Sequence, residues 1–539
     1  MNRFLFSLCV ALLSINISAS AQKAICADSL AADFDFLVKL LESSHPDPYS
    51  GFGGKVFFHE QAHNLKESLK KNPCSIEEFQ NRASAFISTI RDGHTQLYTP
   101  YNNGQKDLYL PLLFKCVAEG LIVRAIPAEH NNLLGSRLLA VNGKEMKDII
   151  AFADKNYVSE NLYGTYSALE WRLRSKSFLH RMLAQPTDSI SLRLLTPHQQ
   201  EVTLKFPFID YSNPDNYVKL AVVPNAGSIP KNHLEYSFLD ADKQTMYLKI
   251  SEIYARDCIE YMHDNKWNFY STLANYYRAH IRKPVPADTL KAIREIPSFT
   301  QVFAKMLNSM KKNKAKNLII DLRDNSGGWT PITLPSLYLM FGDQYLHTDM
   351  QTKYYTLLSP LYLKKINNTI RQFNASRGSD FSLGDYTFYE QSDSDSALSP
   401  EEIRNRFIDD CISSDKKTLK AIKGKPIYKP SNIYVLIDNN TFSAAFHYAF
   451  YLWKMGATIV GIPCKQAPNT FMEQTPFELP FTHLKGSISN SIQTFLPGTD
   501  RRAKTFYPDM EMTYDDYKKY NFNAQAEVLF LLDHINTTM

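Results

Sequence analysis

No two of the seven cysteines form a CxxC pair, so a cysteine-based zinc site is not expected. Cys9 falls in the leader, which leaves Cys26, Cys74, Cys116, Cys258, Cys411 and Cys464. Export permits disulfides, and Cys26 with Cys74, flanking the first helical segment, is the expected pair. The 14 histidines show no ligand spacing, so neither a metal nor another cofactor is implied. Walker-type loops, GxGxxG, HExxH and internal repeats are all missing. A net charge of +5, small for 539 residues and spread along the chain, argues against nucleic-acid and membrane-surface partners. After residue 21 no stretch is both apolar and long enough to span a bilayer.

What is present begins with a leader. Arg3, the apolar run Phe4 to Ile17 and Ala19-Ser20-Ala21 read as a signal peptide over residues 1–21, so the mature chain is expected in the periplasm or outside the cell. Hydrophobic content of 44% and aromatic content of 13% suit globular domains, about three at this length. Residues 22–105 read as helical, with an apolar stripe from Ala31 to Leu41 and a capped start at Ser75-Ile76-Glu77-Glu78. This region ends in Asp92-Gly93-His94-Thr95, where a histidine after a glycine most often marks a surface helix end.

Residues 106–208 form a β-rich module. Its strands are expected at Tyr109–Phe114 and Leu121–Ala125, with a tight turn at Asn142-Gly143, a short helix from Met146 to Ala153, and a hairpin of Ser189–Leu195 with Glu201–Phe206. Residues 209–539 alternate strands and helices as an α/β core. Two polar stretches interrupt it, near 258–300 and 341–430, the second read as largely irregular around Gln391–Ser396.

Within the core, Val435 to Gly461 reads as one βαβ unit: a buried strand from Ile433 to Ile437, a helix through Trp453 and a returning strand from Ala457 to Val460. Ser443 sits at the strand-to-helix corner. A serine there is either an ordinary helix cap or a group projecting from the carboxyl edge of the sheet, where open α/β folds place ligands. Upstream, the strand Leu318–Leu322 runs into Asn325-Ser326-Gly327-Gly328, and paired glycines after a buried strand free backbone N–H groups to meet an oxyanion. A serine nucleophile needs a base. His94 is the candidate, with Asp509 and Glu511 available to orient it. His447, one turn after Ser443, reads as a partly exposed helix residue.

Taken in order, DGHT, GSRLLAVNGKEMKDI, LIIDLRDNSGG, VLIDNNTFSAAF and PDMEM resemble the tail-specific (C-terminal-processing) serine peptidases. The resemblance is to the branch containing the tricorn protease core and the interphotoreceptor retinoid-binding repeats. It implies a crotonase-like α/β core behind the helical segment, with a PDZ-like module inserted. It also implies Ser443 as nucleophile, His94 as general base, and the N–H groups of Gly327 and Ala444 as the oxyanion hole, with Gly328 as the alternative donor. Glu511 is the carboxylate expected behind His94, with Asp509 the alternative. The branch with a lysine base about 25 residues after the serine is not matched, since Ala467 and Pro468 stand there. Two positions depart from the pattern: Gly93 replaces a serine before the histidine, and Phe446 a glutamate after the nucleophile. The resemblance implies a peptide or unfolded protein as substrate and no cofactor. The alternative is a weak or inactive protein that binds an apolar ligand or peptide on the same fold.

Overall fold

The computed structural model describes residues 26–98, 107–225, 229–388 and 398–538. The leader and the Gln391–Ser396 stretch lie outside the described residues. Hydrogen bonding arranges the strands into three sheets of six, seven and five members.

The six-stranded sheet carries the expected βαβ unit. Thr245–Lys249, Asn317–Asp321, Asn432–Ile437, Thr458–Gly461 and Met510–Glu511 run parallel, and Tyr236–Phe238 closes one edge antiparallel. Asn317–Asp321 and Asn432–Ile437 lie side by side, with Asp321 opposite Leu436. Their carboxyl ends therefore emerge together, which brings the diglycine loop beside the Ser443 corner. These strands are almost wholly buried because helices such as Phe299–Asn313 and Ala444–Lys454 pack on them, as parallel sheets require.

The seven-stranded sheet is the module. Asn142 (φ 45°) and Gly143 (φ 76°) make the expected tight turn, and Ser189–Leu195 pairs antiparallel with Glu201–Pro207. The first strand is Leu113–Val117, later than Tyr109, and a further strand, Leu220–Val222, lies beyond residue 208. Helices Leu162–Arg172 and Lys176–Leu183 also lie inside the module and had no clear sequence signal.

Three expectations are corrected. The stretch 341–430 is not largely irregular, because its described residues include helices such as Pro360–Lys365, Ile370–Arg377 and Pro400–Asp410. Its strand Lys353–Leu357 joins the five-stranded sheet through Lys485–Thr494, so hydrogen bonding and not composition decides its order. Near 258–300 the helical periodicity of the sequence does form helices, but they place Cys258, Leu273, Tyr276, Tyr277 and Ile293 in the main core instead of interrupting it. Cys26 and Cys74 are not bonded; the six cysteines among the described residues are all free.

Candidate active site

Ser443 precedes the helix Ala444–Lys454, but its side chain makes no capping hydrogen bond. Its backbone sits at φ 53°, ψ −125°, a conformation L-residues adopt at a cost of about 1–3 kcal/mol. The neighbouring loop holds it there. Phe442 N–H donates to the Asn325 carbonyl (3.0 Å), and Ser443 N–H donates to Oε1 of Gln466. Among the described residues the Ser443 hydroxyl has no hydrogen-bond partner, so it stands free at the mouth of two strand ends.

Gly327 backs directly onto this corner. A β-carbon there would lie 2.7 Å from Ser443 Cβ and 2.8 Å from the Phe442 carbonyl oxygen, and φ is +107°. Only glycine fits. Its own N–H donates to Oδ1 of Asn325 (2.9 Å), which occupies the donor the sequence assigns to the oxyanion hole. Among the described residues, the N–H groups of Ala444 and Gly328 have no acceptor. Ala444 N lies 3.0 Å from where the Gly327 β-carbon would be, close beside the serine.

His94 is not a surface residue. It is 5% exposed, and its ring stacks on Phe442, with centroids 4.6 Å apart at 23°. The base candidate thus rests on the residue that precedes the nucleophile candidate, although no hydrogen bond joins His94 to Ser443. Nδ1 lies 3.9 Å from Oδ1 of Asp92 and 4.0 Å from Oε1 of Glu160. Burial pulls the imidazole below its ordinary pKa, against the opposing pull of Asp92. Asp92 itself sits at about 2: burial would raise it, but His45 and His94 outweigh that. Oδ1 of Asp92 accepts the His94 N–H (2.8 Å) and Oδ2 contacts His45 Nε2 (3.2 Å). Since His45 Nδ1 accepts the Asp47 N–H (3.2 Å), Nε2 carries the proton and donates it to Asp92. Glu160 accepts the N–H of Gly93 (3.2 Å) and of Ala467 (2.8 Å), and burial lifts its carboxyl to about 8.

Residues 292–510 match the model of peptidase family S41. This stretch belongs to the S41 peptidases. The sequence resemblance to this family is thereby borne out, and the matched stretch contains Gly327, Ser443 and Ala444. No curated protein matches the chain. Among solved structures, mature CPAF is similar over 94% of this chain and 98% of its own, at 15% identity and a TM-score of 0.58. CPAF complexed with lactacystin gives 16% identity and 0.54 over 94% and 99%. The photosystem II D1 C-terminal processing protease gives 13% and 0.39 over 90% and 94%. At these identities the CPAF likeness establishes a shared fold.

The S41 match stops at Met510, so His94 and Glu160 reach the site from other parts of the chain. Glu511 does not stand behind His94; among the described residues, the carboxylates within 4.0 Å of that ring are Asp92 and Glu160. Glu511 is an exposed edge-strand residue that pairs with Gly461 and bonds Tyr163. Asp509 caps the neighbouring strand, accepting the Ile459 N–H (2.9 Å) and an Arg502 N–H (2.8 Å). His447 is also corrected, being 3% exposed. Gln493 donates its amide to the Pro468 carbonyl, so its Oε1 must accept from His447 Nε2 (2.7 Å), while Nδ1 accepts from Thr330 (2.9 Å). Both nitrogens are committed.

Gly93, where the tricorn-like pattern has serine, now has a reason. A β-carbon at 93 would lie 2.7 Å from Oε1 of Glu160 and 2.9 Å from the Phe442 ring. The missing side chain lets a carboxylate approach His94 directly. Asp92 was readable in DGHT, as an aspartate that accepts the N–H two residues on. Glu160 lies in another module and left no local signal.

Proposed function

We propose that this chain, a serine-type peptidase by family, is an exported endopeptidase that cleaves unfolded protein or peptide substrates with Ser443 as nucleophile. The observation that carries this reading is the free Ser443 hydroxyl at a strained strand-to-helix corner, packed against Gly327, with the base candidate His94 stacked on Phe442. In the reaction, Ser443 Oγ attacks the scissile carbonyl and His94 takes the proton and returns it to the leaving amine. In this reading the imidazole turns to direct Nε2 to the serine while Nδ1–H meets Asp92 and Glu160. Hydrogen bonds of this kind are often long until substrate binds. Ala444 N–H, with Gly328 N–H, stabilises the oxyanion. The module at 106–208 is read as PDZ-like and the α/β core as crotonase-like. The module supplies Glu160 and so couples substrate presentation to the base.

Ser443→Ala is expected to abolish hydrolysis of an unfolded protein while leaving the melting temperature within a few degrees. Unchanged hydrolysis removes the assignment. The second reading, an apolar-ligand binder, is favoured by the missing Ser443–His94 hydrogen bond. Against it, the cavity of about 450 Å³ between module and core sets Lys115, Arg124, Arg323, Asp324 and Asp438 among Phe114, Trp171 and Val223, so charged groups interrupt its apolar lining.

A further inference from the structure

The nitrogen Nδ1 of His94 is buried and has no hydrogen-bond partner. Two carboxyl oxygens stand near it, 3.9 Å away on Asp92 and 4.0 Å away on Glu160. One ligand atom from each of the three residues lies within 4.8 Å of the other two. Separations near 4 Å are too long for hydrogen bonds, yet they suit groups arranged around a small ion. A tetrahedral cation with bonds near 2.1 Å sets its donors about 3.4 Å apart, so the two measured edges need to shorten by roughly half an ångström.

We propose that Asp92, His94 and Glu160 bind a divalent transition-metal cation of the zinc class, and that its occupancy holds His94 away from Ser443. The donor set of one imidazole and two carboxylates favours zinc-class ions over magnesium or calcium, which prefer all-oxygen cages. Support from behind the ligands is already in place. His45 donates to Oδ2 of Asp92, and the N–H groups of Gly93 and Ala467 fix Glu160, leaving lone pairs on both carboxylates. The Phe442 ring dries one face of the imidazole. Gly93, between Asp92 and His94 in sequence, lines a groove of about 1000 Å³. Sequence spacing could not announce this site, since Glu160 comes from a different module.

Cation binding stands on the geometry alone; inhibition by the cation rests in addition on His94 being the base. The test therefore separates them. Metal-stripped Ser443→Ala protein is titrated with zinc by calorimetry and with cobalt by visible absorption, then compared with the same protein carrying Glu160→Gln or His94→Asn. The expected result is a site weakened at least tenfold by either added substitution, with loss of the tetrahedral cobalt spectrum; thermal melts identify any variant that is not folded, and Asp92→Asn then takes its place. Equal affinity in all folded variants, or no binding in the parent, overturns the proposal. In the active protein, zinc is expected to inhibit and a chelator to restore hydrolysis. Binding that leaves hydrolysis untouched keeps the cation site but overturns both the inhibition and the role of His94.

Discussion

A β-carbon on Gly93 would stand 2.7 Å from Oε1 of Glu160, so the residue before His94 and a carboxylate from the module cannot both carry bulk. Gly93→Ala is expected to displace Glu160 and the Phe442 ring together. Overpacking of this kind destabilises by about 1–3 kcal/mol. The same change is expected to lower kcat more than it raises KM, because it misplaces the base candidate and leaves Ser443 and Gly327 in position. Chemical denaturation and steady-state kinetics on one preparation check both.

Gly327 faces a stricter limit. Its φ of +107° and its approach to the Ser443 corner leave no room for a side chain. Gly327→Ala is expected to cost about 2 kcal/mol or more, and to reduce turnover even in the fraction that folds. Active-site titration divides the loss between folding and chemistry.

The pH dependence has a definite sign at His447. Burial holds it at about 4, below the ordinary 6.5, with Gln493 opposing and His94 adding to the shift. Between those values the unfolded chain binds a proton that the folded chain refuses, so this contribution is complete above pH 6.5 and lost as pH falls toward 4. Asp438 and Glu160, raised to about 7 and about 8, act in the opposite direction over the same range. The informative quantity is therefore the difference between the parent and His447→Gln. That difference should shrink on acidification by up to about 1.4 kcal/mol per pH unit; parallel stability curves would contradict the buried neutral imidazole.

Arg323 anchors the end of the nucleophile-bearing sheet. Its guanidinium bonds Asp321 (2.9 and 2.7 Å) and Glu527, all of them buried, with the two acids held well below the usual carboxylate range. Arg323→Met removes the guanidinium the two buried acids share, leaving Asp321 with Lys249 (3.4 Å) and Glu527 with Lys115 (2.8 Å), and is expected to cost about 3 kcal/mol. A second change, Glu527→Gln, should recover part of that loss in a double-mutant cycle.

The βαβ unit around Ser443 was legible because its signals are local: an apolar strand, a polar corner and a helical stripe ending near Gly456. The observed strand Asn432–Ile437 and helix Ala444–Lys454 differ from the expectation by a residue or so at the ends. Cap and nucleophile, however, leave the same trace in sequence, and only the backbone angles and the absent cap bond separate them. The diglycine loop was legible as a turn, but which N–H stays free depends on the Asn325 side chain. Glu511 misled because proximity in sequence to a motif says nothing of which edge of the sheet a residue faces. Glu160 was invisible because tertiary packing alone brings it to Gly93. The order in 341–430 was missed because strand pairing with Lys485–Thr494 is remote in sequence.

The central claim is that Ser443 is an activated nucleophile. A fluorophosphonate directed at serine hydrolases, followed by peptide mass spectrometry, tests it most directly. A stoichiometric adduct on the Ser443 peptide, lost in Ser443→Ala and slowed at least tenfold in His94→Asn, is the predicted result. An unlabelled Ser443 in protein that still hydrolyses substrate, or labelling indifferent to His94, would contradict the account.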